Sequence, residues 1–220
     1  MARAHAPKSG AAKRGPFITF EGGDGAGKST QIGRLAAHLS AAGCDVVATR
    51  EPGGSSGAEA VRALLVSGAV DRWSPIAEAL LMFAARADHL EKTINPARAR
   101  GAVVLCDRFA DSTMAYQGIA GALGRDAVEA LTRIVVGDDG PVLTFILDTP
   151  VDVGLVRAGK RGGDNRFEAK GAAYQERVRQ AFLDIAAAEP KRCVVVDATA
   201  PAVEVAAKIA AVVKERLGIG

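Results

Sequence analysis

Short apolar runs and stretches of helical periodicity alternate along the chain from about residue 16 onward. Five runs are almost continuously apolar, which is typical of strands that are buried on both faces of a parallel sheet. The segments between them repeat apolar residues at steps of three and four, which predicts helices on both faces of that sheet. The predicted strands are Phe17–Glu21, Val46–Thr49, Ala102–Asp107, Val142–Asp148 and Cys193–Asp197.

Three of the helical segments have a clear apolar stripe. One covers Gln31–Ala42 and stops at Gly43, and the last covers about Val203–Leu217. The longest, Ile76–Ile94, predicts one buried face along its whole length. The stripe on that face consists of Ile76, Leu80, Phe83, Ala87, Leu90 and Ile94.

Composition narrows the class of protein. The 220 residues, 49% of them hydrophobic, are enough for one domain with its own core, and no apolar run is long enough for a membrane span. The net charge is +3, while residues 1–15 hold four basic residues and no acidic one. The remainder is therefore slightly acidic, which argues against a nucleic-acid-binding protein.

The chain predicts a basic N-terminal extension followed by one domain at residues 16–220. Residues 1–15 have no apolar core like that of a secretory signal, so we expect a disordered extension; their basic, acid-free composition also leaves open an organelle transit peptide. Three cysteines cannot all pair within one chain, and we expect reduced thiols in a cytoplasmic protein.

A phosphate-binding loop follows the first predicted strand. Residues 22–29 match the pattern G-x-x-x-x-G-K-[ST], and a predicted helix comes directly after them. Backbone N–H groups of such a loop cradle a triphosphate, Lys28 would bridge its β- and γ-phosphates, and the Ser29 hydroxyl would bind Mg²⁺. The predicted ATP-binding residues are Gly22, Gly23, Asp24, Gly25, Ala26, Gly27, Lys28, Ser29 and Thr30.

Charged residues after two other strands distinguish this chain from GTPases and transporters. Neither of its two asparagines begins an Asn-Lys-x-Asp motif, and no Ser-Gly-Gly-Gln signature occurs. Instead, Arg50 ends one strand, and Asp107 and Arg108 end another. The carboxyl ends of parallel strands share one edge of a sheet, so these side chains should converge on the phosphate-binding loop. Arginine suits a second phosphate, and Asp107 could hold Mg²⁺ through water.

Four segments together resemble the thymidylate kinase family. They match in order and separation from about Pro16 to the C-terminus: Glu21–Thr30, Arg50–Gly54, Asp107–Gly118 and the basic segment Arg157–Glu168. The resemblance implies a P-loop NTPase fold with five parallel strands and a lid inserted after the fourth, at about residues 157–167. It implies transfer of the γ-phosphoryl group of ATP to dTMP, giving dTDP and ADP. It also implies a homodimer that uses the exposed surface of the long helix.

The resemblance also implies roles for individual residues. Arg108 would hold the dTMP phosphate with help from Arg50 and Arg86, and Gln117 and Thr113 would meet the thymine edge. The ring of Tyr116 would lie under the deoxyribose and disfavour a 2′-hydroxyl, with Asp24 near the 3′-hydroxyl. The full substrate-binding set is Asp24, Arg50, Pro52, Met82, Arg86, Arg108, Ser112, Thr113, Tyr116 and Gln117.

The chain departs from the family pattern at the residue that stacks on thymine. The family places a phenylalanine four residues before the helix arginine, whereas this chain has Met82 there and Phe83 three residues before Arg86. Phe83 lies on the apolar stripe and is expected in the core. Met82 shares a helix face with Arg86, so we expect its thioether to contact the base.

A basic, glycine-containing segment supplies the candidate catalytic arginines. Some family members carry an arginine inside the phosphate-binding loop, where this chain has Gly25, and others carry basic residues in the lid. We therefore expect Arg157, Arg161 or both to stabilise the charge of the transferred phosphoryl group, as arginine fingers do. The predicted catalytic set is Lys28, Asp107, Arg108, Arg157 and Arg161, with Ser29 and Asp107 holding the metal.

Two other functions remain open at this stage. The chain could phosphorylate another nucleotide or a deoxynucleoside, or it could be a nucleotide-dependent switch ATPase. A switch has no need for a second phosphate-and-base pocket, so Arg108 together with Gln117 argues against that class.

Overall fold

The computed structural model describes residues 14–159 and 170–220, and their centre is a five-stranded sheet. Its strands lie in the order β2-β3-β1-β4-β5, and every neighbouring pair is parallel. The predicted five-stranded parallel sheet is therefore confirmed. The strands are β1 (Phe17–Glu21), β2 (Val46–Arg50), β3 (Val103–Asp107), β4 (Leu143–Asp148) and β5 (Cys193–Asp197).

Helices connect the strands and cover the sheet. Two of them continue into a π-helical turn without a break, α3 at Leu90–Ile94 and α5 at Met114–Ile119, and a 3₁₀ turn covers Gly137–Asp139. No helix among the described residues combines the length and apolar character needed to cross a membrane. The helices are α1 (Lys28–Ala41), α2 (Ser56–Val66), α3 (Pro75–His89), α4 (Asn95–Ala99), α5 (Ala110–Thr113), α6 (Arg125–Val135), α7 (Val151–Gly159), α8 (Ala172–Ala188) and α9 (Ala202–Leu217).

The alternation of side chains along β1 divides the core between the two faces of the sheet. Ile18 and Phe20 pack with residues of α1 and α9 on one face. Phe17 points to the other face, where it packs with Ile94 and lies edge-on to the ring of Phe109. Because both faces are covered, the nearly continuous apolar pattern of the strands is explained.

The predicted apolar stripe on the long helix is wrong in part. Phe83 is buried as expected, and so are the residues of the stripe that follow the end of α3. Ile76, Leu80 and Ala87 are exposed. The face of α3 that turns inward is partly polar, because it contributes Glu78, Arg86 and His89 to buried contacts. The apolar side chains between them therefore point outward.

Two predicted segments lie largely outside the described residues, namely residues 1–13 of the extension and residues 160–167 of the lid. At the end of the predicted extension, Arg14 contacts the domain: it donates hydrogen bonds to Asp139 Oδ1 at 2.8 Å and to Asn95 Oδ1 at 2.7 Å. The adjacent Gly15 donates to the carbonyl oxygen of Arg98 at 2.8 Å.

Candidate active site

A cleft opens at the carboxyl ends of β1, β2 and β3. The strand order places β3 between β1 and β2, so residues that are far apart in the sequence meet at this edge. Most of the predicted site residues lie in the wall of this cleft. The lining residues are Asp24, Gly25, Gly27, Lys28, Ser29, Arg50, Glu51, Pro52, Arg62, Val66, Met82, Arg86, Asp107, Arg108, Phe109, Ser112, Thr113, Tyr116 and Gln117.

Lys28 is the first residue of α1, and its side chain reaches back across the phosphate-binding loop. Its Nζ donates to the carbonyl oxygens of Gly22 at 3.1 Å and Gly23 at 2.8 Å, and the residue is only 7% exposed. Burial, together with the positive charge of Arg108, lowers the pKa of Lys28 to about 8. An anion placed beside this ammonium group would favour its charged form.

The phosphate-binding loop needs glycine at the point where its backbone approaches that of α7. Gly25 has φ +76, and a Cβ atom added there would lie 2.0 Å from the carbonyl oxygen of Gly154 in α7. A side chain at this position would combine backbone strain with a steric clash. The loop and the first part of α7 are therefore packed directly together.

A hydroxyl and a carboxylate meet beside Lys28. Ser29 Oγ donates to Asp107 Oδ2 at 2.7 Å, which joins the start of α1 to the end of β3. Oxygen ligands of this kind suit Mg²⁺, which keeps several waters and binds few protein groups. The pair could hold a magnesium ion next to the loop that would carry the triphosphate.

Arg108 faces the same loop from the tip of β3. Its backbone has φ +67, and its guanidinium donates to the carbonyl oxygen of Gly22 at 3.0 Å and to Asp24 Oδ1 at 2.7 Å. It also lies over the ring of Tyr116 and donates to Ser112 Oγ at 3.1 Å. The guanidinium thus lines the same cleft as Lys28.

A buried carboxylate supports the turn that carries Arg108. Glu21 accepts hydrogen bonds from the backbone N–H of Phe109 at 2.7 Å and from Ser112 Oγ at 2.5 Å. Its complete burial, with a further contribution from the charge of Asp111, raises the pKa of Glu21 to about 7. Glu21 therefore connects the end of β1 to the segment that follows β3.

The end of β2 and helix α2 bring two more arginines to the cleft. Arg50 Nη2 lies 2.9 and 3.0 Å from the two carboxylate oxygens of Glu59, and Glu59 Oε1 also accepts from the N–H of Gly54. Arg62 in α2 donates to the carbonyl oxygen of Pro52 at 2.7 Å. Both guanidinium groups are held at the rim by these contacts.

A chain of buried polar groups lies behind the cleft. Arg86 is 2% exposed and donates through Nε to Glu51 Oε2 at 2.8 Å. The other carboxylate oxygen of Glu51 lies 3.1 Å from His89 Nδ1, and His89 Nε2 lies 2.8 Å from Thr49 Oγ1. The guanidinium of Arg86 also lies over the ring of Phe83. These contacts fix the direction of Arg86.

The inner wall of the cleft comes from α3 and from the residues that follow α5. Met82 lines the cleft, whereas Phe83 is buried behind it against Arg86. Gln117 Nε2 donates to Glu78 Oε1 at 2.7 Å. Met82, and not Phe83, therefore lies on the surface of the cleft.

Comparison with known proteins places this chain in a family. The Thymidylate kinase family model matches residues 20–209. The thymidylate kinase of Caulobacter vibrioides is 62% identical over 94% of this chain and 99% of that protein, and that of Afipia carboxidovorans is 53% identical over 93% and 91%. The chain belongs to the thymidylate kinase family. The predicted family is therefore confirmed.

A solved structure agrees with this assignment. The crystal structure of thymidylate kinase from Ehrlichia chaffeensis matches this chain with a TM-score of 0.74 at 34% identity, and the match covers 91% of this chain and 99% of that one. The predicted P-loop NTPase fold is therefore confirmed as well, and this chain is an enzyme of the kinase class.

Arg157, one of the two candidate lid arginines, does not line the main cleft. Arg157, in α7, donates to the carbonyl oxygen of Ala198 at 3.0 Å and borders a second pocket on the other side of the phosphate-binding loop. Arg161 lies outside the described residues. The second pocket is lined by Gly25, Ala26, Gly27, Thr30, Gln31, Arg157, Ala198, Ala200, Ala202 and Val205.

Several residues around the site were given no role from the sequence. Glu21 and Glu51 lie inside recognised motifs, yet their carboxylates point inward and support arginines. Glu78 shares a helix face with Arg86, eight residues later, and this spacing was an available signal. Nothing in the local sequence marks His89 or Arg62, because their partners lie far away in the chain.

Proposed function

We propose that this enzyme transfers the γ-phosphoryl group of ATP to the phosphate of dTMP, giving dTDP and ADP. Membership in the thymidylate kinase family supports the reaction. The observation that carries it in this chain is the position of Arg108, whose guanidinium shares one cleft with Lys28 and the phosphate-binding loop. Two anionic groups can therefore be held facing each other, as an in-line transfer requires.

The donor half of the site would hold ATP and Mg²⁺. The backbone N–H groups of residues 22–30 would cradle the phosphates, and Lys28 would contact the β- and γ-phosphates. Ser29 and Asp107, already joined by a hydrogen bond, would hold Mg²⁺, which would neutralise developing charge on the phosphates when bound. The second pocket adjoins the same loop and would receive the adenosine part of ATP, with Arg157 beside it.

The acceptor half of the site would hold dTMP. Arg108 would bind its phosphate, with Arg50 at the rim, and Asp24, which already contacts Arg108, would lie near the 3′-hydroxyl. Tyr116, with Ser112 and Pro52 nearby, would line the deoxyribose region. The base would lie on Met82, between Arg86, Thr113 and Gln117.

Arg157 and Arg161 remain the proposed sources of a cation for the transition state. An arginine brought against the transferred phosphoryl group is worth roughly 10³–10⁵ in turnover. Arg157 lies beside the phosphate-binding loop, at the end of α7 from which the chain continues toward Arg161. Closure of that segment over the phosphates would also exclude water from the reaction.

A coupled assay of ADP release tests the proposed reaction. We expect turnover with dTMP that needs Mg²⁺, and none when dTMP is replaced by thymidine. Lys28→Ala should remove turnover while the far-UV circular dichroism spectrum stays unchanged. ATP hydrolysis that is independent of any nucleotide acceptor would contradict the proposal and would favour a switch ATPase instead.

We also propose that two copies of the chain associate. Exposed apolar side chains lie on α2, α3 and α6, and α3 packs against both of the other helices. Ile134 is 79% exposed, Leu80 is 50% exposed, and Ile76 and Leu64 are exposed too. Exposed apolar side chains on neighbouring helices are typical of an interface between subunits.

A cytoplasmic location is part of the same proposal. Cys106 and Cys193 are buried free thiols, and Cys44 is also unpaired. Burial raises the pKa of the Cys193 thiol to about 12, which keeps it protonated and unreactive. Free thiols of this kind suit a reducing compartment.

A further inference from the structure

Two polar pairs join the helical segments that form the base-facing wall of the cleft. Glu78, Met82 and Arg86 follow one another at four-residue steps, so they share one face of α3. Thr113 and Gln117, which are also four residues apart, face them. Arg86 Nη2 donates to Thr113 Oγ1 at 3.0 Å, and Gln117 Nε2 donates to Glu78 Oε1 at 2.7 Å. Met82 lies between the two pairs.

The contact with Glu78 determines which way the amide of Gln117 points. An ionised carboxylate only accepts hydrogen bonds, so the NH₂ group of Gln117 must face Glu78. The ammonium group of Lys170 lies 3.9 Å from the same carboxylate oxygen. The amide oxygen of Gln117 then points away from Glu78, and no described residue donates a hydrogen bond to it.

Arg86 supplies the opposite polarity next to this oxygen. Two of its nitrogens are paired with Glu51 and Thr113, whereas Nη1 is buried and has no partner among the described residues. Arg86 and Gln117 both line the cleft. The wall therefore offers a ligand one hydrogen-bond donor, from Arg86, and one acceptor, from Gln117.

We propose that Glu78 is a positioning residue that fixes the Gln117 amide, so that the site selects a pyrimidine with a carbonyl group next to a ring N–H and rejects cytosine. The inference rests on the proposed function, because it concerns the acceptor base. Thymine and uracil present the C4 carbonyl and the N3–H group. Cytosine presents an amino group and an unprotonated N3. Its amino group would face the Arg86 donor, and its N3 acceptor would face the amide oxygen of Gln117.

The size of the expected discrimination follows from the cost of unpaired buried groups. A site that is built to hydrogen-bond a particular group rejects analogues strongly, since its own polar atoms are then left without partners. Wild-type enzyme should prefer dUMP to dCMP by roughly a hundredfold or more in kcat/KM. Uracil has the same edge as thymine, so Glu78 contributes nothing to the choice between dTMP and dUMP.

The test compares kcat/KM for dTMP, dUMP and dCMP in the wild type and in Glu78→Gln. An amide at position 78 can donate as well as accept hydrogen bonds, so the side-chain amide of Gln117 could rotate by 180° and still pair with it. We expect the dUMP-to-dCMP ratio to fall at least about tenfold, while the dTMP-to-dUMP ratio stays unchanged. Glu215→Gln, on the exposed side of α9, is the matched carboxylate-to-amide control and should change neither ratio.

Three results would overturn the inference: an unchanged dUMP-to-dCMP ratio in Glu78→Gln, an equal loss for all three substrates, or a wild-type enzyme that uses dCMP as well as dUMP. The last measurement needs no variant, so it can overturn the inference even if Glu78→Gln does not fold. Wild-type protein that binds dTMP without phosphorylating it would contradict the proposed function alone. Calorimetric binding of dUMP and dCMP would then test the base selection.

Discussion

Glu21 has no exposed surface, and its carboxylate contacts the turn that carries Arg108. The residue sits between the end of β1 and the start of α5, so its protonation state affects the packing of the acceptor site. Burial and the nearby charge of Asp111 raise its pKa from 4.5 to about 7. The folded protein thus retains a proton that the unfolded chain releases at lower pH.

This difference predicts a pH dependence of stability. The contribution of Glu21 is fully present below pH 4.5 and is lost as the pH rises through about 7. Between pH 5 and pH 8, the wild type should therefore lose roughly 2–3 kcal/mol of unfolding free energy relative to Glu21→Gln, whose side chain cannot ionise. Urea unfolding of both proteins at several pH values measures the difference.

The matched control for this experiment is Glu215→Gln, which removes an exposed carboxylate. The difference in unfolding free energy between Glu215→Gln and the wild type should stay constant over the same pH range. Histidines and other titrating groups contribute equally to both proteins, so their effects cancel. A constant difference for Glu21→Gln as well would show that Glu21 is ionised in the folded protein throughout this range.

At the scale of elements, the phosphate-binding loop and α7 are fixed to each other by close backbone packing. Gly25 cannot take a side chain without moving Gly154. We expect Gly25→Ala to lower the unfolding free energy by about 2 kcal/mol or more, and to weaken ATP binding at least about tenfold. Chemical denaturation and calorimetric titration with ATP provide the two measurements.

Gly33 is the matched control because it lies in α1, directly after the same loop. A Cβ atom added there meets nothing within 4 Å. Gly33→Ala should therefore stabilise the protein by about 0.5–1 kcal/mol through its higher helix propensity, with no change in ATP affinity. If Gly25→Ala behaved like this control, the packing of the loop against α7 would not be needed for binding.

Local patterns were sufficient to predict the strands and the phosphate-binding loop, but not the inner face of α3. All five strands have their predicted boundaries to within one residue, because each coincides with a nearly continuous apolar run. On α3, Glu78, Arg86 and His89 point inward because distant residues such as Glu51 and Gln117 receive them. Such pairings depend on the tertiary structure, so periodicity alone could not predict them.

At the scale of the whole molecule, the strand order explains why the motif residues could be predicted to meet. β3 lies between β1 and β2, so Arg50 and Arg108 lie at the same edge of the sheet as Lys28. Ser29 and Asp107, which are 78 residues apart in the sequence, form a hydrogen bond there. The outward face of α3 is apolar, with Ile76 and Leu80, whereas the face toward the cleft carries the polar residues Glu78 and Arg86. One helix therefore links the proposed base contacts with the proposed subunit interface.

The proposed dimer makes a prediction that mass measurements can check. Sedimentation equilibrium should give twice the chain mass of 22.6 kDa for the wild type. Leu80→Glu and Ile134→Glu each place a charge on the apolar surface, so the mass should fall to that of a single chain. Val203→Glu, at an exposed apolar residue on α9, is the control and should leave the mass unchanged. If Leu80→Glu and Ile134→Glu both kept the wild-type mass, the interface would not involve α3 and α6.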